Sequence, residues 1–304
     1  MSSIRWKKND PNIYLQVNAR WYRYDYSLPP VGDGAMGLVY LGFDCLTNEK
    51  VAVKMLRQEY WNDDLIRKRF KLEASIQTYH PNIVRMIGFC EDESGRGPLY
   101  VLSEYVCGVT FREHILQLSY WNQEEKYDKI VSEFLPVLDA VGCLHSHGII
   151  HRDIKPSNIM FQDGYLLKLM DLGIAKANHF FDAHLKGFIG TQPFAAPEQC
   201  VDDSVEAEID ERTDIYAIGV TLSYLLADHF PLVKTDKVPL SLMKIICKAT
   251  ESDPEMRYGN ADEMRIALED YIESRTKGRK VFLKYLPVIS ILIMLAILIT
   301  LILQ

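Results

Sequence analysis

The stretch His151-Arg152-Asp153-Ile154-Lys155-Pro156-Ser157-Asn158, followed after a short apolar run by Asp171-Leu172-Gly173, decides how this chain is read. Asp153 is a carboxylate able to accept a hydroxyl proton, and Lys155 sets a cation two residues away. Asn158 and Asp171 add an amide and a second carboxylate, the hard oxygen donors that suit a magnesium ion. An oriented nucleophile, metal-neutralised phosphates and a cation over developing charge are the parts of a phosphoryl-transfer site.

Outward from that stretch, further segments stand in a consistent order. Upstream lies Gly32-Asp33-Gly34-Ala35-Met36-Gly37-Leu38-Val39, a glycine-rich loop whose backbone N–H groups can approach phosphate oxygens with no Cβ in the way. Glycines in that spacing also open a helix in dinucleotide folds. Here the chain continues instead as a strand-like run and reaches Val51-Ala52-Val53-Lys54. Downstream come Gly190-Thr191, Ala196-Pro197-Glu198, Thr213-Asp214-Ile215 and Asp253-Pro254-Glu255-Met256-Arg257.

In this order and spacing the motifs resemble those of protein kinases. The Ala35-Met36 tip, the Gly173-Ile174-Ala175-Lys176 after Leu172 and the Pro197-Glu198-Gln199 run are most similar to bacterial, eukaryotic-like (Hanks-type) Ser/Thr kinases. The resemblance implies an α+β, two-lobed fold: a small antiparallel β lobe and a larger helical lobe. It also implies transfer of the ATP γ-phosphate to Ser or Thr hydroxyls of protein substrates. On that match Lys54 would bond the α- and β-phosphates, its side chain fixed by an ion pair to Glu73. Val31, Gly32, Gly34, Gly37, Val39, Ala52 and Met160 would surround the nucleotide. The backbone of Glu104 and Val106 would hold adenine, with Ser103 a small gatekeeper behind it. Asp153 would orient the acceptor hydroxyl and take its proton, and Lys155 beside it speaks for serine or threonine over tyrosine. Asn158 and Asp171 would hold magnesium, or manganese in its place. Thr191 would bond Asp153 and Lys155, Glu198 would pair with Arg257, and Asp214 would accept N–H bonds from the catalytic loop.

Two departures stand out. Leu172 replaces the usual Phe beside the metal-binding carboxylate, which keeps an apolar plug. Between Gly173 and Thr191 the segment IAKANHFFDAHLKGFIG holds no Ser, Thr or Tyr, so activity is expected without phosphorylation inside it. A membrane-tethered pseudokinase scaffold of the same shape is the alternative. It predicts loss of Lys54, Asp153, Asn158 or Asp171, and all four are present. A small-molecule phosphotransferase of related fold has no need of the Glu198 and Arg257 pairing.

Composition sets the remaining bounds. A formal net charge of -7 argues against a nucleic-acid partner. The six cysteines are scattered without a CxxC pair, as in reduced cytosolic proteins. No apolar signal segment opens the chain. Residues 286–303, LPVISILIMLAILITLIL, are uncharged, and as a helix they would reach about 27 Å, close to the ~30 Å hydrocarbon core of a bilayer. Lys277, Arg279, Lys280 and Lys284 flank this run on its N-terminal side only, which places that side in the cytoplasm. The expected organisation is an N-terminal extension of little content over 1–20 and a catalytic unit over 21–274, with lobes at about 21–106 and 107–274. A basic juxtamembrane linker over 275–285 and a single membrane span over 286–303 follow. The partners expected are ATP, protein substrates and a lipid bilayer, the last a bacterial plasma membrane on the resemblance.

Overall fold

The computed structural model describes residues 3–76, 78–117, 123–172, 193–200, 209–227 and 238–277. The segment 173–192, with Thr191, and the span expected at 286–303 lie outside the described residues. Among the described residues no helix is long and apolar enough to cross a membrane.

The first lobe is one antiparallel sheet with a helix on it. Its strands are β1 (Ser3–Trp6), β2 (Asn12–Val17), β3 (Arg20–Asp25), β4 (Gly32–Asp33), β5 (Gly37–Asp44), β6 (Lys50–Leu56), β7 (Met86–Glu91) and β8 (Leu99–Glu104). The order is β1-β2-β3-β5-β6-β8-β7, with β4 paired to β5. Period-two patterning decides which side chains face inward: in β3, Tyr22 and Tyr24 are buried and Arg23 is not. The sheet curls until its first strands meet its last. Asn18 Nδ2 donates to the Ile87 carbonyl at 2.7 Å, and Cys90 Sγ lies 3.4 Å from the Ser3 carbonyl. Gly88 makes the approach possible: its φ is +142°, and a Cβ there would meet Val17 Cγ1 at 2.8 Å. The curl encloses Leu15, Val17, Tyr22, Tyr24, Val51, Val53, Cys90, Tyr100 and Leu102.

On the other face sits α1 (Asp64–Ala74), whose N-terminus is capped by the Asp63 carboxylate accepting from the Ile66 N–H at 2.9 Å. Its inner stripe, Ile66, Phe70 and Ala74, packs with Leu56, Leu99 and Val101. Burial of side chains of this size contributes about 1.5–3 kcal/mol each. The stripe also turns Glu73 inward, because residue 73 follows Phe70 by three positions.

The second lobe is built on α2 (Phe111–Gln117), α3 (Gln123–Ser146), α4 (Glu211–Ala227), α5 (Leu240–Ala249) and α6, which covers 261–277. In α4 every residue from Thr213 to Ser223 is buried, so it is the lobe's central rod rather than an amphipathic surface helix. A small sheet, β11-β10-β9, lies under the cleft, made of β9 (Gly108–Thr110), β10 (Ile159–Gln162) and β11 (Leu166–Leu169). The lobes are joined behind the cleft, where the Val84 N–H donates to the Leu169 carbonyl at 3.0 Å and the Leu169 N–H to that of Asn82 at 2.7 Å.

Residues 3–17 differ from the expectation of a lead-in without content. They form β1 and β2 and complete the first lobe's sheet, because Ile13, Leu15 and Val17 alternate with Tyr14 and Gln16 in a strand pattern that a six-residue run displays only weakly. Leu15 is 0% exposed. Leu15→Ala should therefore destabilise the first lobe by about 2–5 kcal/mol in chemical denaturation. A cost within ~0.5 kcal/mol, typical of a surface change, would show that the hairpin is an appendage.

Candidate active site

A cavity of about 330 Å³ lies between the lobes. Of the expected nucleotide-binding residues, Val31, Gly32, Val39, Ala52, Lys54, Val106 and Met160 line it, and so do Glu73, Ser103 and Asp171. Gly34, Gly37 and Glu104 do not; Tyr105 lines the wall beside Val106. Gly34 and Gly37 close the glycine turn instead, the Gly34 N–H donating to the Gly37 carbonyl at 3.0 Å. The Glu104 side chain turns away from the cavity, accepting from Lys168 Nζ at 2.6 Å and from the Arg85 N–H at 3.0 Å.

Lys54, projecting from β6, meets both Glu73 oxygens at 3.0 Å and Asp171 Oδ1 at 2.9 Å. Three elements remote in sequence thus converge on one ammonium group. Burial works against the lysine's charge, but Asp171 and then Glu73 more than offset it, and its pKa rises. Burial also pushes the Glu73 carboxyl up, against the pull of Lys54. Asp171 is held below the ordinary carboxylate value, first by the charge of Lys54.

Asp153, Lys155 and Asn158 form a second cluster on the loop between α3 and β10. Asp153 Oδ2 lies 2.9 Å from Lys155 Nζ and accepts from Asn158 Nδ2 at 3.1 Å. Asn158 Nδ2 also donates to the Asp153 carbonyl at 2.8 Å, which closes the loop on itself. The Met170 N–H donates to the Asn158 carbonyl at 2.7 Å, so the backbone brings Asn158 alongside Asp171. Leu172, 1% exposed, is buried in the second lobe's core.

The loop is held from beneath. Asp214, at 0% exposure, accepts from the His151 N–H at 2.8 Å, the Arg152 N–H at 2.7 Å and His145 Nε2 at 2.8 Å. Burial raises its pKa, yet these bonds and the neighbouring imidazoles more than offset that and hold it low. Arg152 has φ +64°, a conformation costly for a side chain of its kind, and its carbonyl accepts from Gln199 Nε2 at 3.1 Å. Thr221 Oγ1 donates to the Ile154 carbonyl at 3.1 Å. Beyond the loop, Arg257 grips Glu198 through two nitrogens at 2.7 and 2.9 Å, with the Arg257 side chain 0% exposed.

Three contributors were given no role by the sequence. Arg57 reaches the glycine turn, donating Nε to the Gly34 carbonyl at 3.1 Å and pairing with Asp33. Gln199 and Thr221 support the catalytic loop from elements distant in sequence. Gln199 closes the Pro197-Glu198-Gln199 run that carries the family resemblance, with no role attached to it there.

A family model for the protein kinase domain matches residues 27–280. Among curated proteins, the probable serine/threonine-protein kinase PknB of Lactococcus lactis is 31% identical over 281 residues, covering 84% of this chain and 43% of the relative. The serine/threonine-protein kinase PknB of Mycobacterium leprae is 34% identical over 264 residues, covering 78% and 41%. This chain therefore spans about two fifths of the length of those relatives. The crystal structure of the Mycobacterium tuberculosis PknI kinase domain matches with a TM-score of 0.60 at 25% identity, over 82% of this chain and 95% of that one. The chain belongs to the protein kinase family.

The buried pairs predict a pH response. Glu198 is held below its ordinary 4.5, burial being outweighed by Arg257, and Asp214 below its ordinary 3.8. A depressed folded pKa gives stability that is complete above the unfolded pKa and lost as pH falls through the folded one. Stability against thermal unfolding should thus fall on acidification below about pH 4.5, with Glu198→Gln flattening part of that slope. Arg257→Leu, which strands Glu198, should cost about 3–5 kcal/mol at neutral pH. A stability indifferent to both changes would remove the pair from the lobe's foundations.

Proposed function

We propose that this member of the protein kinase family is an ATP- and magnesium-dependent protein serine/threonine kinase, held at a membrane by residues 286–303 with its catalytic unit in the cytoplasm. The observation that carries this reading is the meeting of Lys54, Glu73 and Asp171 at the end of a nucleotide-sized cleft, with Asp153, Lys155 and Asn158 beside it.

Lys54, fixed by Glu73, presents its ammonium to the nucleotide's α- and β-phosphates. Val39, Ala52 and Met160 enclose the base, and the hinge backbone at 104–106 orients it. Asp153 positions the acceptor hydroxyl and receives its proton, while Lys155 places positive charge beside the phosphoryl group in flight. The donor set suits a hard divalent ion. The Asn158 amide nitrogen is committed to Asp153, which leaves its oxygen free, and the second Asp171 oxygen has no partner among the described residues. Two protein oxygens plus phosphates and water is a usual magnesium environment, and no cluster of three or more acid, His or Cys ligands competes for the ion among the described residues. Magnesium would supply charge neutralisation across the phosphates.

The absence of Ser, Thr and Tyr between Gly173 and Thr191 supports activity that needs no phosphate in that stretch. The uncharged run at 286–303, with cations only on its N-terminal side, supports the anchor and its orientation.

Radiolabel transfer from ATP to the chain itself or to a generic protein substrate tests the assignment. Asp171→Ala and Asp153→Asn should each lower the rate by about 100-fold or more while the fold is retained. An unlabelled wild type in magnesium would leave a scaffold in place of an enzyme. Phosphatase-treated protein should keep its rate; activity restored only through modification of Thr191 would overturn the second claim. Deletion after Lys280 should release the chain from membranes in 0.5 M salt with catalysis intact, and a truncated form that still pelleted with them there would end the anchor assignment.

A further inference from the structure

The first lobe carries a feature that neither catalysis nor folding uses. Cross-strand register places Arg5 opposite Tyr14, Tyr14 opposite Arg23, Arg23 opposite Phe43 and Phe43 opposite Lys50. Directly paired residues project to one face of a sheet, so these five form a single row across β1, β2, β3, β5 and β6. At roughly 4.8 Å per strand the row is about 19 Å long. It lies on the face turned away from the Leu15–Tyr22–Tyr24 core. Cations and rings alternate along it and interlock: Arg5 sits 4.6 Å over Trp21, Lys7 5.6 Å over Tyr14 and Arg23 5.7 Å over Phe43.

The charge is local. Residues 1–26 carry five cations (Arg5, Lys7, Lys8, Arg20 and Arg23) against Asp10 and Asp25, in a chain whose net charge is -7; beside the row's other two members, Asp44 pairs with Arg20 at 3.0 Å and Glu49 precedes Lys50. Both acids are occupied, Asp10 by Asn12 and Tyr14 and Asp25 by Ser27. No carboxylate stands in the row itself.

We propose that this cation–aromatic row docks on the headgroups of an anionic lipid bilayer and holds the first lobe against the membrane. The inference deepens the anchored-kinase reading and rests on it for proximity. The nine peptide steps between residues 277 and 286 span at most about 30 Å, so a chain anchored at 286 keeps residue 277, the end of α6, within that distance of the headgroups. Arg and Lys supply attraction to anionic lipid, and Trp and Tyr favour the interfacial zone. A single-stranded nucleic acid is the poorer match. The rings it would stack on already carry cations.

The test uses the full chain in nanodiscs of phosphatidylcholine alone or with added phosphatidylglycerol, read by hydrogen exchange. Backbone amides of 3–25 should exchange more slowly in the anionic discs, and 0.5 M salt should abolish the difference. In Arg5→Glu/Arg23→Glu the difference should vanish. ATP turnover in neutral discs should stay at the wild-type level, because neither residue touches the cleft. Equal exchange in the two lipids overturns the proposal, as does protection of 3–25 by a single-stranded oligonucleotide but not by anionic lipid. Alkaline extraction scores the anchor separately. A chain that washes out ends the anchor reading, and docking is then decided by exchange of 3–25 with the two vesicle compositions.

Discussion

The architecture of the cleft depends on one buried ammonium. Lys54 is bonded to Glu73 from α1 and to Asp171 from the far lobe, and removing it would leave two carboxylates without their counterpart. Such a group is costly in a site this enclosed, since an unpaired buried ion loses several kcal/mol of hydration. The arrangement fixes where α1 sits, because only its inward stripe carries a carboxylate to that depth. It also joins the two lobes by a contact that nucleotide phosphates would share, so the cleft's shape and its electrostatics are set by the same atoms.

The catalytic loop shows a complementary device. Its backbone adopts a left-handed conformation at Arg152 that the residue would not choose, and neighbouring peptide groups are pinned by Asp214, Gln199 and Thr221. Strain of that kind persists only where surrounding structure over-determines it. Helix α4, buried from Thr213 to Ser223, supplies two of these supports, which explains why so deeply buried a helix lies directly under the site. Precision at Asp153 thus comes from a rigid rod rather than from the loop's own preferences.

The first lobe gains from closure. Strands β1 and β2 carry the sheet round to β7 and seal an apolar interior that would otherwise lie open on one side. The same strands expose charged and aromatic residues outward, so one hairpin serves both packing and surface chemistry. Gly88 permits the seam, because a side chain there would strike Val17.

The sequence alone determined the order of the chemistry. The glycine loop, Lys54, Glu73, Asp153, Asn158 and Asp171 could be named as candidates because phosphoryl transfer restricts residue type at each place, and the structure brings Lys54, Glu73 and Asp171 together and sets Asp153 against Asn158. The buried helices were legible for a similar reason, since continuous apolar runs such as IYAIGVTLSYLL have few other uses. Tertiary structure decided what rests on contacts between distant residues: the closure of β2 on β7, the grip of Arg57 on the glycine turn, and Gln199 beneath Arg152. A hydrogen bond between residues 199 and 152 leaves no periodicity and no local propensity in the chain. It exists only once both segments have been carried to the same place by the packing around them.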